Sequence, residues 1–317
     1  SVCSRLKLRR LLAPAIARLR PDIVFLPGNF HLVLARAGRS RLGSPAIVGK
    51  ISNPLAPGRI LPLRWLLERL YRWAARDVDA LVAMSSGLAA DVARLTEGHE
   101  THVIHDPNIL SDAPASCPAK AAGDGLLRLV AAGRLVTQKD FALAIRVTAE
   151  LARSRKVHLT ILGEGPERAR LQRLARQLGI GDAVSLPGHA PSIAPALDAA
   201  DLLLVTSRYE GGPAVAVEAL HRGVPVIATD CSHFLRDLIR CPDHGAIIAS
   251  RRPEPFAAQL LAWLEHPGRC GFCGPSATAS LDSAYAAGKY LRLFDGLLSH
   301  PRSRPERAAI VAGNATA

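Results

Sequence analysis

Short apolar runs alternate with longer amphipathic stretches along most of the chain. Continuous apolar runs are typical of parallel strands covered on both faces, and amphipathic stretches of helical period are typical of the helices that cover them. The pattern therefore predicts an α/β protein built on parallel sheets. The predicted strands are residues 23–26, 46–50, 80–84, 102–104, 127–132, 157–162, 183–186 and 201–206, and the predicted helices are residues 6–19, 63–75, 140–152, 255–265 and 283–298.

A stretch without periodicity divides this alternation into two parts. Residues 113–124 are rich in Ala, Pro and Ser, which predicts a linker between domains. With 317 residues, of which 49% are hydrophobic, the chain has enough apolar material for two cores. The predicted parts are a first domain at 1–112, the linker at 113–124, a second domain at 125–282, a last helix at 283–299 and a disordered tail at 300–317.

The strand predicted at 201–206 ends in the densest group of candidate binding residues. Ligands of open α/β sheets bind outside the carboxyl ends of the strands, and the amides at a helix start attract phosphate oxygens. Glycines there would let a phosphorylated ligand approach the backbone, and two glutamates could accept hydrogen bonds from a sugar and from a ribose diol. The alternative is that both glutamates are solvated surface charges, although the apolar neighbours of the second weigh against it. The group consists of Glu210, Gly211, Gly212, Pro213 at the first position of the next helix, and Glu218.

Three further strand ends of the second domain carry candidates. Arg134 and Lys139 flank the first turn, where two cations would suit a diphosphate; the alternative is solvated surface charge. The second turn has a Gly-x-Gly motif, Gly163 to Gly165, which is half of a dinucleotide fingerprint because Arg168 stands in place of the third glycine. This half motif fits a mononucleotide better than a dinucleotide. The third turn could contact a base edge through its backbone. The full set is Gly133, Arg134, Lys139, Gly163, Gly165, Gly188 and His189.

Polar residues also follow the strands of the first domain. They would gather at one edge of the sheet, where a doubly wound domain places its ligand contacts. A lone histidine after a strand is more often structural than catalytic, so His31 keeps both interpretations. The candidates at this edge are His31, Asn53 and Ser85.

Charge is distributed unevenly along the chain. The net charge is +13, and residues 1–120 hold 17 Lys plus Arg against 9 Asp plus Glu, a net charge of +8 that leaves +5 for the rest. Such a basic surface would attract nucleic acid, an anionic membrane or a phosphorylated acceptor. The aromatic content of 4%, without interleaving of aromatic residues and arginines, argues against nucleic acid.

Other motifs are weaker. The six cysteines are scattered, and Cys270 and Cys273 lack a second pair or a histidine couple, so neither a disulfide scaffold nor a zinc site is predicted. Asp77 and Asp79 match an Asp-x-Asp metal motif, but they precede a strand, away from its ligand-binding end, and we interpret them as turn residues. No apolar run is long enough for a spanning helix and no signal pattern is present, which favours a cytoplasmic protein.

The order and spacing of the second-domain motifs resemble the carboxy-terminal domain of the family 4 retaining glycosyltransferases, which have the GT-B fold. The resemblance covers residues 125–250 strongly, and residues 16–110 resemble the second half of that family's acceptor domain more loosely. Two residues depart from the pattern: Asp106 stands where Asn is frequent, and Gly212 stands where a larger apolar residue is usual, which would loosen the sugar pocket or change which sugar is read. The motifs are Gly133-Arg134 with Lys139, Gly163-Glu164-Gly165, Gly188-His189, Glu210-Gly211-x-Pro213 with Glu218, and Gly223-Val224-Pro225-Val226.

The resemblance implies two Rossmann-like domains that face each other across a cleft, an acceptor domain followed by a nucleotide-sugar domain. The acceptor domain would be incomplete, because the family's opening strand and glycine-rich loop are missing. The last helix would cross back to it. The implied activity is a hexosyltransferase that moves a sugar with retention from a nucleotide-sugar donor, without a metal or another cofactor. The acceptor would be a lipid-linked or polysaccharide intermediate of cell-envelope glycan synthesis.

The resemblance also implies roles for the candidate residues. Arg134 and Lys139 would hold the diphosphate, Glu218 the ribose and Glu210 the sugar. Glu210, Arg134 and Lys139 would form the catalytic group, and the other strand-end residues of the second domain would complete the donor site. The three candidates of the first domain would lie on the acceptor side.

Two alternatives stay open for the function. One is a catalytically inactive fragment that binds nucleotide sugars, and the other is a nucleotide-sugar epimerase of the same fold. The expected partners are a nucleotide-sugar donor and a sugar or lipid-linked acceptor. The basic first domain would also allow peripheral contact with an anionic membrane at the inner face of the cytoplasmic membrane, and no nucleic acid is expected.

Overall fold

A computed structural model describes residues 14–38, 45–53, 61–76, 78–96, 99–106, 125–265, 278, 281 and 283–299. Within these residues the chain forms two parallel sheets covered by helices, so the predicted α/β class is confirmed. The strands are β1 Ile23–Leu26, β2 Ala46–Ile51, β3 Ala80–Ala83, β4 Thr101–Val103, β5 Leu127–Ala132, β6 Val157–Leu162, β7 Val184–Gly188, β8 Leu202–Val205, β9 Val226–Thr229 and β10 Gly245–Ile248. The helices are α1 14–19, α2 Asn29–Gly38, α3 Leu61–Ala75, α4 Ser86–Thr96, α5 Phe141–Leu151, α6 Arg168–Gln177, α7 Ala194–Asp198, α8 Ala214–His221, α9 His233–Leu238, α10 Pro253–Leu264 and α11 Ser283–Ser299.

The first sheet has four parallel strands in the order β1-β2-β3-β4. Side chains alternate across β2: Ile47 and Ile51 pack against α2, α3 and α4, whereas Val48 points to the opposite face. That opposite face is covered by α11, through Ala286 and Leu293. The last helix of the described chain therefore completes the core of the first domain.

The second sheet has six parallel strands in the order β10-β9-β8-β5-β6-β7. One face packs on α5, α6 and α10, and the other on α7, α8 and α9. The order reverses between β5 and β8, which are neighbours in the sheet although two strands, β6 and β7, lie between them along the chain. At such a reversal the loops after two adjacent strands diverge and leave room for a ligand. The loops after β5 and β8 therefore mark the expected site.

The two domains contact each other through α4 and α9. The backbone N–H of Ser86 donates to the Asp237 carboxylate at 2.9 Å, and His233 Nε2 lies 3.2 Å from Asp91 Oδ2. The His105 ring meets Phe234 edge to face with 5.6 Å between ring centroids. These contacts lie beside the cleft between the sheets.

The structure corrects several predicted elements. The polar residues after β1 and β3 start two helices that were not predicted, α2 at Asn29 and α4 at Ser86, because short polar side chains favour helix starts. β7 continues to Gly188, which pairs with Leu162 beyond a local irregularity, so Gly188 ends a strand and does not lie in a loop. The Asp79 carboxylate accepts a hydrogen bond from the Ile47 N–H at 2.7 Å, which joins the start of β3 to β2. The described residues do not include the predicted linker, the tail at 300–317, Asp77, or residues 6–13 of the first predicted helix.

None of the helices described here is long and apolar enough to cross a membrane.

Gly49 in β2 sets how closely α2 approaches the sheet. A Cβ at this position would lie 2.3 Å from Leu32 Cδ2, and Leu32 is buried. We therefore expect Gly49→Ala to overpack the first domain and lower the free energy of unfolding by about 1–3 kcal/mol. Urea denaturation of the purified chain measures this change.

The matched control is Gly296→Ala in α11, where a Cβ would meet nothing within 4 Å. This change should leave stability unaltered or raise it by about 0.5–1 kcal/mol, because Ala favours helix more than Gly does. Equal effects of the two substitutions would contradict the close approach of α2.

Candidate active site

Glu210 and Lys139 meet between the loops that follow β8 and β5. Lys139 Nζ donates to Glu210 Oε1 at 2.6 Å, and Ser207 Oγ donates to the same oxygen at 2.7 Å. The Glu210 backbone N–H donates to the Cys231 carbonyl at 2.9 Å. Glu210 is buried, so it is not the solvated loop residue that the alternative interpretation required.

Arg134 lies in the loop after β5 and is exposed. Among the described residues, no hydrogen bond or ion pair engages its guanidinium. Lys139, in contrast, is mostly buried and paired with Glu210. The two predicted cations therefore differ: one is open to a ligand, and the other is held in place by a carboxylate.

Glu218 lies in the second turn of α8 and is half-buried. Burial raises the pKa of its carboxyl group, and the positive charge of Arg222 lowers that pKa to a smaller extent. No described side chain hydrogen bonds to this carboxylate. Its surroundings thus make the charge costly and leave its acceptor positions open.

The glycines after β5 and β6 bring the strand-end loops into backbone contact. Gly133, Gly163 and Gly188 all have positive φ angles, of 147°, 132° and 101°. A Cβ at Gly163 would lie 2.0 Å from the Gly133 carbonyl oxygen, and one at Gly165 would lie 2.5 Å from that of Leu135. Only glycine fits such an approach, so these residues shape the floor of the candidate site.

Gly211 and Gly212 face the first domain. A Cβ at Gly211 would lie 1.6 Å from the Ser52 carbonyl oxygen, and one at Gly212 would lie 2.8 Å from Met84 Cε. The space that was expected to loosen a sugar pocket is therefore filled by residues of the first domain. Pro213 is the N-cap residue of α8, one position before the predicted one, because its ψ of 105° is still extended. Contact of these amides with a phosphate stays a prediction.

The predicted residues of the first domain have different surroundings. His31 lies in α2, and its Nδ1 atom is buried without a hydrogen-bond partner among the described residues. The Asn53 carbonyl accepts a hydrogen bond from Asn29 Nδ2 at 2.8 Å, which joins the loop after β2 to α2. Ser85 is buried and its hydroxyl accepts from the Leu88 N–H at 3.2 Å, so it caps α4. His189 in the second domain is exposed.

Sequence reasoning missed Arg251, which follows β10. Its Nη1 donates to the Ser207 carbonyl at 2.7 Å, and its Nη2 donates to Thr206 O at 3.0 Å and to Asp140 Oδ2 at 2.8 Å. Asp140 itself has the left-handed conformation, with φ 47° and ψ 46°. Arg251 thus joins the loops after β5, β8 and β10. A pair of arginines directly after an apolar run was the available signal.

No group of three or more His, Cys, Asp or Glu side chains within the described residues could hold a metal ion.

Comparison with known families identifies the class of protein that this fold and site belong to. The family "Glycosyl transferases group 1" matches residues 119–278, and the "Glycosyl transferase 4-like domain" matches residues 3–107. The chain therefore belongs to the group 1 glycosyl transferases.

Curated relatives carry names from glycan biosynthesis. The lipopolysaccharide core biosynthesis glycosyltransferase LpsE of Rhizobium meliloti is 29% identical over 198 residues, which are 58% of this chain and 54% of the relative. The amylovoran biosynthesis glycosyltransferase AmsD of Erwinia amylovora is 29% identical over 133 residues, 42% of this chain and 37% of the relative. The chain thus spans about half, or less, of the length of these relatives.

Solved structures support the fold. The lipopolysaccharide outer core galactosyltransferase WaaB, in its apo form, superimposes with a TM-score of 0.71 at 21% identity. The alignment covers 94% of this chain and 82% of the WaaB chain. HepE of Anabaena in complex with UDP superimposes with a TM-score of 0.75 at 18% identity. The alignment covers 91% of this chain and 82% of the HepE chain. The chain therefore has the GT-B fold of two Rossmann-like domains.

We expect Arg251→Ala to weaken the junction of the three loops. Hydrogen bonds to charged groups contribute about 1.5–3 kcal/mol, and the lower part of that range applies here because 36% of the side chain is exposed. Urea denaturation should show this loss. The matched control, Arg252→Ala at the neighbouring N-cap without a side-chain cap bond, should change stability by less than about 0.5 kcal/mol. Equal losses in both variants would refute the junction.

Proposed function

We propose that the chain is a retaining glycosyltransferase that transfers a hexosyl group from a nucleotide-sugar donor to a lipid-linked or polysaccharide intermediate of cell-envelope glycan synthesis. The observation that carries the proposal is the contact of Lys139 with Glu210 at the reversal of strand order in a group 1 glycosyl transferase, with Arg134 exposed in the same loop as Lys139. Relatives named for lipopolysaccharide, amylovoran and colanic acid biosynthesis support the acceptor class. HepE in complex with UDP and with UDP-glucose supports the donor class.

Arg134 and Lys139 neutralise the diphosphate in this proposal. As the bond between sugar and diphosphate breaks, negative charge builds on the leaving group, and preorganised cations stabilise it. Lys139 is held at the site by Glu210 before a donor binds. The protein's own cations thus supply the charge that the leaving group needs, and the proposal includes no metal or other cofactor.

The glutamates orient the donor. Glu210 accepts hydrogen bonds from the sugar, and Glu218 accepts hydrogen bonds from the ribose diol. The loop with Gly163 and Gly165 and the end of β7 at Gly188 surround the nucleotide. His31 and Asn53 lie on the acceptor side, and the acceptor attacks the face that the diphosphate leaves.

The proposed place of action is the cytoplasm, at the inner face of the cytoplasmic membrane. A lipid-linked acceptor stays in the bilayer, so the enzyme has to work at its surface. The net charge of +8 in residues 1–120 favours an anionic surface.

The diphosphate clamp can be tested by calorimetry with UDP. We expect Arg134→Ala and Lys139→Ala each to weaken UDP binding by about 1.5–3 kcal/mol, the range for hydrogen bonds to charged groups. Arg146→Ala, an exposed arginine on α5, is the control and should bind UDP like the unmodified chain. Unchanged affinity in both clamp variants would reject the assignment.

Substitution of the two glutamates should affect the binding of UDP and of UDP-glucose differently. We expect Glu210→Gln to weaken binding of UDP-glucose, and sugar transfer, far more than binding of UDP, because in this proposal the sugar is the part of the donor that Glu210 holds. Glu218→Gln should weaken both ligands, because the ribose is common to them. Calorimetry with UDP and UDP-glucose and a transfer assay provide the readouts, and equal losses on both ligands for both variants would contradict the division of roles.

The same assays distinguish the alternative functions. Donor binding without transfer to any acceptor extract would favour the inactive binding fragment. Recovery of an altered nucleotide sugar without an acceptor would favour the epimerase.

A further inference from the structure

Helix α3 exposes an apolar face on the outside of the first domain. Its inner side packs through Tyr71, Ala74 and Ala75 into the core of the first sheet. On its outer side Trp65 is 59% exposed, Leu66 55%, Leu70 37% and Trp73 38%. Two of the three tryptophans of the chain thus lie on one exposed stripe. Large apolar side chains that cluster on a surface mark an interaction site.

Arginines lie on the same stripe. Trp65, Glu68, Arg69, Arg72, Trp73 and Arg76 line a shallow cavity of about 330 Å³. The Arg69 guanidinium carbon lies 5.4 Å from the centroid of the Trp65 ring, which is a cation–π distance. Arg72 Nε donates to the Leu95 carbonyl at 3.1 Å and is fixed against α4. We call this stripe of Trp65, Leu66, Arg69, Leu70, Arg72, Trp73 and Arg76 the α3 face.

The combination of groups indicates the chemistry of the partner. The α3 face interleaves three arginines with its apolar residues, and with Glu68 beside them the charge along this side of α3 is net positive, which complements an anionic surface. Tryptophan prefers the level of lipid headgroups, where its ring is apolar and its N–H is polar. Arginine pairs with phosphate through a planar fork of donors. An anionic phospholipid surface supplies both environments at one depth.

The position of the α3 face suits the candidate site. α3 connects β2 and β3, which are parallel, so it begins at the carboxyl edge of the first sheet. Ser52 and Asn53 follow β2 at that edge, and Ser52 contacts Gly211 across the cleft. A bilayer in contact with the first turns of α3 would therefore lie beside the cleft.

We propose that the α3 face docks the chain on an anionic phospholipid bilayer, with Trp65 and Trp73 at headgroup level and Arg69, Arg72 and Arg76 on lipid phosphates. This docking surface specifies the membrane contact that the proposed function includes. It rests on the proposed function only in its purpose, which is to present a lipid-linked acceptor to the site. Docking itself needs neither donor nor acceptor.

Vesicle flotation without any substrate tests the docking. The full chain should float with vesicles of phosphatidylcholine and phosphatidylglycerol and float far less with phosphatidylcholine alone. Trp65→Ser with Trp73→Ser should reduce binding more than tenfold. Arg69→Gln with Arg76→Gln should reduce it by about fivefold for each arginine, the value of one cation near an anionic surface. Tryptophan emission of the unmodified chain should shift to shorter wavelength on binding, because Trp65 and Trp73 leave water.

Matched variants on the second domain serve as controls. Leu178→Ser replaces another exposed leucine, 40% exposed, and Arg146→Gln with Arg173→Gln removes two exposed arginines. Both should bind vesicles like the unmodified chain. The proposal would be overturned if the unmodified chain did not float with the anionic vesicles, or if the controls lost as much binding as the α3 variants. It would also be overturned if the α3 variants kept vesicle binding and instead changed oligomeric state, measured by light scattering.

UDP calorimetry separates this test from that of the proposed function. The α3 variants should bind UDP like the unmodified chain, which shows that they are folded. If the unmodified chain binds vesicles but not UDP, the proposed function fails and the docking surface stands. If it binds UDP but not vesicles, only the docking surface fails.

Discussion

The ion pair between Lys139 and Glu210 joins two loops that are 71 residues apart in the sequence. The loops meet because β5 and β8 are neighbours in the sheet. Both side chains are mostly buried, so each charge depends on the other: removal of one partner of a buried pair typically costs about 3–5 kcal/mol. The fold thus fixes the position of Glu210 and of the Lys139 ammonium group before any ligand arrives.

The neighbouring contacts reinforce this pair. Ser207 donates to Glu210 and its carbonyl accepts from Arg251, which also reaches Asp140 at the start of α5. Asp140 is held in a left-handed conformation that is rare for residues other than glycine. Strained backbone of this kind persists where the surroundings determine it, and such positions concentrate at functional sites. Hydrogen bonds therefore join the three loops into one unit.

The sequence predicted the framework well, because the signal for a buried strand is local. β5 and β6 have the predicted bounds, since each is a largely apolar run that ends at a glycine. The contacts around Glu210 could not be predicted, because Lys139 bonds to Glu210, and Arg251 to the neighbouring Ser207, from loops distant in sequence. A glycine in a sequence indicates that another group approaches the backbone closely, but it does not indicate which group. For this reason Gly212 suggested room for a sugar, whereas Met84 of the first domain fills that space.

Glu210 and Glu218 show how one helix start can carry two different acceptors. Glu210 is buried with a cation and a hydroxyl donor, so its charge is compensated within the protein. Glu218 is half-buried without such donors, and burial raises the pKa of its carboxyl group. A ligand that donates hydrogen bonds to the ionised form would offset that desolvation, and a ribose diol is such a ligand. The first carboxylate is therefore fixed by the protein through its Oε1 atom, and the second has acceptor positions that a ribose diol would satisfy in the proposed function.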